Sequence, residues 1–257
     1  MTAANKWSRE VRTDVQQTAF DAIDAEIEWI AHAVGARGMH YPALISRTTL
    51  ERAGYMESFP HLLLSTTRLG EEMPWCLSPA VCYHAYEQFA GRVFSDPVTL
   101  TARGLCFRGE QETSFGIRQV EFEMREIVFL GASEWVDLQS RIASDRVTAL
   151  AKRIGLEGGW HPAEDPFFLP SGEGKALMQR ILGVKEEYRS GGADGLALAS
   201  VNRHGTFFGE RFDIRHGADG ELVHTACVAI GLDRWQACLT SSLKRSDSHD
   251  VHASTPA

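Results

Sequence analysis

Apolar residues recur at Val11, Val15, Ala19, Ile23, Ile27, Ile30 and Val34, at steps of three and four, and the run stops at Gly35 and Gly38. That period gathers them on one helix face and predicts a long amphipathic helix over about residues 8–34. The opposite face carries Asp14, Asp21, Asp24, Glu26 and Glu28 and reads as a solvated or docking surface. "YPALISRTTLERAGYMESFPHLLL" follows as an extended entry, a short helix ended by Gly54 and an apolar turn around Phe59 and Pro60. From Leu100 the period shortens. "GLCFRGE" and "RQVEFEMREIVFLG" read as two strands joined by a polar loop, Gln111 to Gly116. A helix is expected from Ser133, as N-cap, to Gly155, with Val136, Ile142, Val147, Leu150 and Ile154 inward. Beyond a Gly- and Pro-rich loop, "LALASVN", "TFFGERFDI" and "ELVHTACVAIG" read as strands, the last two parted by the turn "RHGADG". The stretch from Lys244 lacks periodicity and is expected to be a disordered tail, 244–257, after one domain spanning 1–243. Strand runs with helices before and between them indicate an α+β fold on a mostly antiparallel sheet.

Alternation along the second strand puts Val120, Phe122, Met124, Glu126, Val128 and Leu130 on one side, leaving Glu126 as a carboxylate among apolar neighbours. A carboxylate placed there must be ion-paired, hydrogen-bonded or metal-bound, because an isolated buried charge neutralises instead. The same alternation groups Cys227 with Val223, Thr225, Ala229 and Gly231, and a buried free thiol is the simplest account of it.

Composition then removes several functional classes. The 257 residues are 44% hydrophobic and 23% charged, as in a water-soluble globular protein. No apolar run approaches the roughly 18 to 20 residues of a membrane span, and the first thirty residues are too charged for a secretory signal, so a cytoplasmic protein is expected. A net charge of -8, with no basic cluster, opposes nucleic-acid binding. Cys76, Cys82, Cys106, Cys227 and Cys238 form an odd set without a tight pair, which suits a reducing compartment. Arg108 and Arg118 flank the loop between the two strands, and Arg234 opens a helix after Gly231. Guanidinium groups at strand ends suit bidentate bonds to phosphate oxygens, though for any one arginine alone a surface ion pair is the better reading.

These residues carry a resemblance. "CFRGE…RQVEFEMRE" resembles the second signature motif of class II aminoacyl-tRNA synthetases, and "IGLDRW" the third. Together with "YPALISRTTLERAGYMESFPHLL", "LSPAVCYHAYEQFAGR", "EDPFF", "LGVKEEY" and "ASVNRHGTFFG", nearly the whole chain is similar to the amino acid:[carrier protein] ligases. That family is akin to the catalytic domain of the atypical, zinc-dependent seryl-tRNA synthetases. The resemblance implies a class II synthetase sheet, a homodimer, and a ligase that activates a small amino acid with ATP and Mg²⁺. It also implies transfer of that amino acid to a phosphopantetheinylated carrier protein, without tRNA.

Residue by residue, the resemblance implies a Zn²⁺ site at Cys82, Glu126 and Cys227, with a fourth tetrahedral position left for the substrate amino group. It implies that Arg108 meets the α-phosphate, Arg234 the far phosphates, Arg118 the phosphate tail and Glu110 the adenine amine. Lys185, Glu187, Asn202 and His204 are expected around the amino acid, His204 being equally readable as a structural histidine. Cys76 is a competing ligand, but only Cys82 follows the Pro-Ala-x-Cys pattern; Cys106 and Cys238 read as packing. The segment before "LSPAVCY" is short for the family, and Arg203, Gly205 and Glu210 depart from its commonest forms, which bears on amino-acid choice and carrier docking. The alternatives are an aminoacyl-tRNA synthetase, opposed by length and acidity, and a non-catalytic binding protein, opposed by the retained Arg108, Glu126, Cys227 and Arg234.

Overall fold

The computed structural model describes residues 8–114, 116–163 and 184–240. Helix α1 runs Asp14–Ala33, and Thr13 caps it in a reciprocal capping box with Gln16. It is therefore shorter than periodicity predicts. Val11 and Val15 are exposed, while Phe20, Ile23, Ile27 and Ile30 are buried. Asp24, expected on the solvated face, is buried too, because Arg125 donates to both its oxygens, at 2.6 and 2.9 Å.

After α1 come β1 (Arg37–Gly38), β2 (Leu44–Ser46), α2 (Arg47–Arg52), α3 (Tyr55–Ser58) and a 3-10 turn at Pro60–Leu62. Strands β3 (Ser65–Arg68) and β4 (Glu71–Leu77) form a hairpin that the polar sequence conceals. Next are α4 (Cys82–Gln88), β5 (Val93–Phe94), β6 (Val98–Phe107), β7 (Glu121–Gly131) and α5 (Ser133–Arg153). Ala132, not Ser133, occupies the N-cap of α5, and no side chain caps it. Then follow β8 (Gly158–Pro162), β9 (Lys185–Ser190), β10 (Leu196–Gly205), helix α6 (Phe207–Phe212), β11 (Arg215–His216), β12 (Glu221–Leu222), β13 (His224–Gly231) and a final described helix at 232–240.

"TFFGERFDI" is thus a helix rather than a strand. Phe208 and Phe212, one turn apart, are both buried, a spacing that alternation also partly fits. Gly209 permits the packing: a Cβ there would lie 2.5 Å from the Val223 carbonyl oxygen. "EDPFF" and the proposed tail fall outside the described residues.

The main sheet has seven strands in the order β1-β6-β7-β13-β10-β9-β8, antiparallel except at the β1–β6 edge. One face packs on α1 and α5 through Ile127, Phe129, Ala226 and Val228. The other carries Leu100, Val128 and Cys227 against Cys82 and Tyr86 of α4 and Phe208 of α6. This second face holds the candidate site. Among the described residues no helix is long and apolar enough to cross a membrane.

Candidate active site

Antiparallel register keeps directly opposed residues on one face, so the pairings fix the layout. Glu187, Ser200, Ala229, Glu126 and Ala102 form one row across five strands; Lys185, Asn202, Cys227, Val128 and Leu100 form the next. Glu126 and Cys227 are consequently diagonal neighbours. Cys82, the first residue of α4, completes the group: one donor atom from each of Cys82, Glu126 and Cys227 lies within 4.8 Å of the others. The loop before α4 reaches the sheet over Gly104, where a Cβ would sit 3.0 Å from a Val81 methyl. There the Val81 N–H donates to Glu126 Oε1 at 2.9 Å. The other oxygen, Oε2, is buried without a hydrogen-bond partner among the described residues.

Such an orphaned oxygen beside two thiols is costly unless a cation takes it up. Burial pushes the Glu126 carboxyl up. The Cys82 thiol is held well above its ordinary range by its hydrogen bond to Cys227 and by burial. For Cys227 the Cys82 contact pulls down, while burial and the Glu126 charge push it up on balance. The two thiols and the carboxylate match the donor set of a zinc site with an open position, so the residues fit that metal. Asn202 Nδ2 donates to Cys227 Sγ at 3.6 Å.

His204 stands one step back. Its Nδ1 lies 3.2 Å from Thr225 Oγ1 and 3.4 Å from the Tyr86 hydroxyl, and its ring meets Phe208 edge-on. Tyr86 itself is fully buried, held far from ionisation by burial and then by the neighbouring Cys82 and Cys227. The sequence reading missed Tyr86, although it follows Cys82 by four residues and so shares its helix face. It missed Arg189 as well: Glu187 pairs with Arg189 at 2.5 Å and with Lys185 at 3.6 Å. Cys76 packs apart from the trio with Ile45, Leu50 and Tyr55. Cys106 is core beside Met124, and Cys238 packs against the helical face.

From Glu126 the same face continues along β7 through Met124 to Phe122, whose ring lies 5.1 Å from the Arg108 guanidinium carbon. Along β13 it continues from Cys227 through Ala229 and Gly231 to Arg234. Arg108 Nε donates to the Pro79 carbonyl at 3.2 Å. Arg234 donates to the carbonyls of Ile117 and Ala197, at 2.8 and 2.9 Å. Burial and then the nearby charge of Arg108, with a further contribution from Arg118, lower the Arg234 pKa. Arg118 pairs with Glu110 at 3.1 Å. The fold therefore groups the three arginines and Glu110 at one end of this face and the two thiols and carboxylate at the other.

An amino acid–[acyl-carrier-protein] ligase of Bradyrhizobium diazoefficiens is 32% identical, over 78% of this chain and 69% of its own. The chain belongs to the amino acid–[acyl-carrier-protein] ligase family. A second such ligase from the same organism is also 32% identical, the match covering 76% of this chain and 66% of that one. A type-2 serine–tRNA ligase of Methanocaldococcus jannaschii is 25% identical, and the match spans 47% of it. No family model matches. Among solved structures, M. kandleri SerRS bound to A. aeolicus tRNASec aligns with 87% of this chain at a TM-score of 0.73 and 20% identity. Giardia lamblia prolyl-tRNA synthetase with prolyl-adenylate aligns with 85% at 0.70 and 17%. The ligase thus has the class II synthetase catalytic fold, and it spans about half of these synthetase chains or less.

Proposed function

We propose that this ligase activates a small amino acid with ATP as an aminoacyl-adenylate and passes it to the phosphopantetheine thiol of a carrier protein. The observation that carries the reading is the buried Cys82, Glu126 and Cys227 group with its orphaned carboxylate oxygen, on the sheet face that leads along β7 to Phe122 and Arg108 and along β13 to the helix of Arg234. Those three residues would hold zinc, which supplies a Lewis-acidic position for an unprotonated α-amine. Asn202 and the paired Lys185 and Glu187 flank that end and orient the amino acid. Arg108, Arg118 and Arg234 take the triphosphate with its Mg²⁺, and Glu110 accepts from the adenine amine. The carboxylate then attacks the α-phosphorus in line, and pyrophosphate leaves. Held positions and positive charge supply most of the acceleration. In the second step the carrier thiol attacks the acyl carbon and AMP departs.

ATP–pyrophosphate exchange across a full amino-acid panel tests the first step. Exchange with one or a few small amino acids supports the reading, and none with zinc-replete protein refutes it. Labelled amino acid offered with either a phosphopantetheinylated carrier or tRNA tests the second, and stable charging of tRNA would refute the carrier assignment.

A further inference from the structure

We infer that Arg12 is a positioning residue for the nucleotide end of the site, fixing the start of the helix that carries Arg234; the inference rests on the adenylation reading above. Arg12 lies on the non-helical segment before α1, yet its side chain and that of Asp233 are each only 7% exposed. Every nitrogen of its guanidinium is used. Nε donates to Gln236 at 3.0 Å, Nη1 to Glu123 at 3.1 Å and Gln17 at 3.3 Å, and Nη2 to Asp233. Its flat face lies 3.5 Å from the centre of the Phe20 ring. Asp233 turns its second oxygen to the Glu123 backbone N–H at 2.6 Å. Arg12 therefore ties together strand β7 and two points of the helix 232–240.

The reason such a tie is needed lies one residue on. Arg234 is placed beside Arg108 and Arg118, whose like charges repel it, while Glu187 and Glu110 offset part of that repulsion. Its two recorded anchors are neutral carbonyls, one of them in the turn around Ile117. That turn rests on the same junction: a Cβ on Gly116 would lie 2.9 Å from Ala237 Cβ and 3.4 Å from Glu10 Oε2. Asp233, the neighbouring residue, points away to a buried charged fork formed by Arg12 and the Glu123 N–H. The clamp thus resists displacement of Arg234 without occupying the phosphate site.

The test uses the full-length, zinc-replete chain and three variants: Arg12→Lys, Asp233→Asn and Arg9→Ala. Arg9 belongs to the same segment but bonds Glu121 and Glu123 instead of Asp233. For Arg12→Lys and Asp233→Asn we expect the KM for ATP in exchange, and the Kd of a non-hydrolysable ATP analogue, to rise by about tenfold. The KM for the amino acid and the zinc content should stay within twofold, and Arg9→Ala should leave ATP binding within twofold. Combining Arg12→Lys with Asp233→Asn should weaken ATP binding by less than the product of the two single effects, because both variants break the shared Arg12–Asp233 contact. Equal effects of Arg9→Ala and Arg12→Lys, or equal rises in both KM values, would overturn the inference. A wild-type chain that binds the analogue without exchange would defeat the adenylation reading, while the Kd ratios still decide on Arg12. A wild-type chain that binds no analogue defeats both.

Discussion

Glu126→Gln should have opposite effects on the zinc-loaded and the zinc-free protein. The amide keeps the side-chain shape and an oxygen to accept the Val81 N–H at 2.9 Å, but removes the charge beside the two thiols. Groups that merely support a metal ligand are commonly worth 10- to about 100-fold in affinity, so an anionic ligand itself should be worth at least about 100-fold. With zinc well above both dissociation constants, a 100-fold weaker site loses about 2.7 kcal/mol of ligand-linked stability. For a chain of this size that is about 5–11 °C in melting temperature.

Without zinc the sign reverses. Burial raises the Glu126 pKa, so the folded state binds a proton more tightly there than the unfolded chain does. Stability then falls as pH rises from the ordinary carboxylate value through the folded one, and Gln escapes that loss. Chelator-treated Glu126→Gln should consequently melt at or above chelator-treated wild type at neutral pH. Scanning calorimetry of both proteins, zinc-saturated and zinc-free, supplies all four melting points. An identical zinc-induced gap in wild type and variant would refute zinc ligation by Glu126. Equal destabilisation of both forms of the variant would show that Glu126 is purely structural.

Two further predictions concern the frame around the site. Asp24→Asn leaves Arg125, only 5% exposed, without its bidentate partner. Urea unfolding should show a loss of about 3–5 kcal/mol, largely recovered in Asp24→Leu/Arg125→Met, and a loss under 1 kcal/mol would contradict the pairing. His84, with its Nε2 buried and unpartnered among the described residues, is drawn by burial to a pKa of about 4. Its folded pKa lies below the unfolded value, so the stability it contributes is present above about 6.5 and is lost as pH falls toward about 4. Urea midpoints at pH 7 and pH 5 should therefore differ less in His84→Gln than in wild type, and an unchanged difference would assign that slope to other groups.

The sequence exposes the chemistry of the site better than its supports. Alternation alone singles out Glu126 and puts Cys227 on a face of its own strand, and register joins the two because Ala229 sits opposite Glu126. Cys82 has no such local signal, since it lies on a helix 44 or more positions away, and only the family pattern around it names it. Asp24 was read as solvent-facing because its partner, Arg125, is 101 residues distant and no period reports a long-range ion pair. Arg12 was missed for the same reason: Asp233 is 221 residues away. The strands β8 and β9 and the β3–β4 hairpin are short or rich in charge, so tertiary pairing rather than pattern makes them strands.

The separation between the two ends of the site is a backbone property. From Cys227 to Gly231, just ahead of Arg234, β13 advances four residues, about 13 Å at 3.3–3.4 Å per residue. An equal run of β7, set two residues further along, leads from Glu126, opposite Ala229, to Phe122 beside Arg108. Ala229 and Gly231 on one strand are small, while on its neighbour but one Ala102 and Gly104 lie under Val81. A larger residue at Ala229 would stand between the two ends without moving either. A one-residue slip of β13 would do the reverse: it would turn Cys227 toward α1 and α5 and bring Ala226 or Val228 to the face of Cys82 and Glu126. The apolar pairs Ala226–Phe129 and Val228–Ile127, buried against those helices, oppose that slip. The packing of the face away from the chemistry is therefore what keeps the thiol and the carboxylate together.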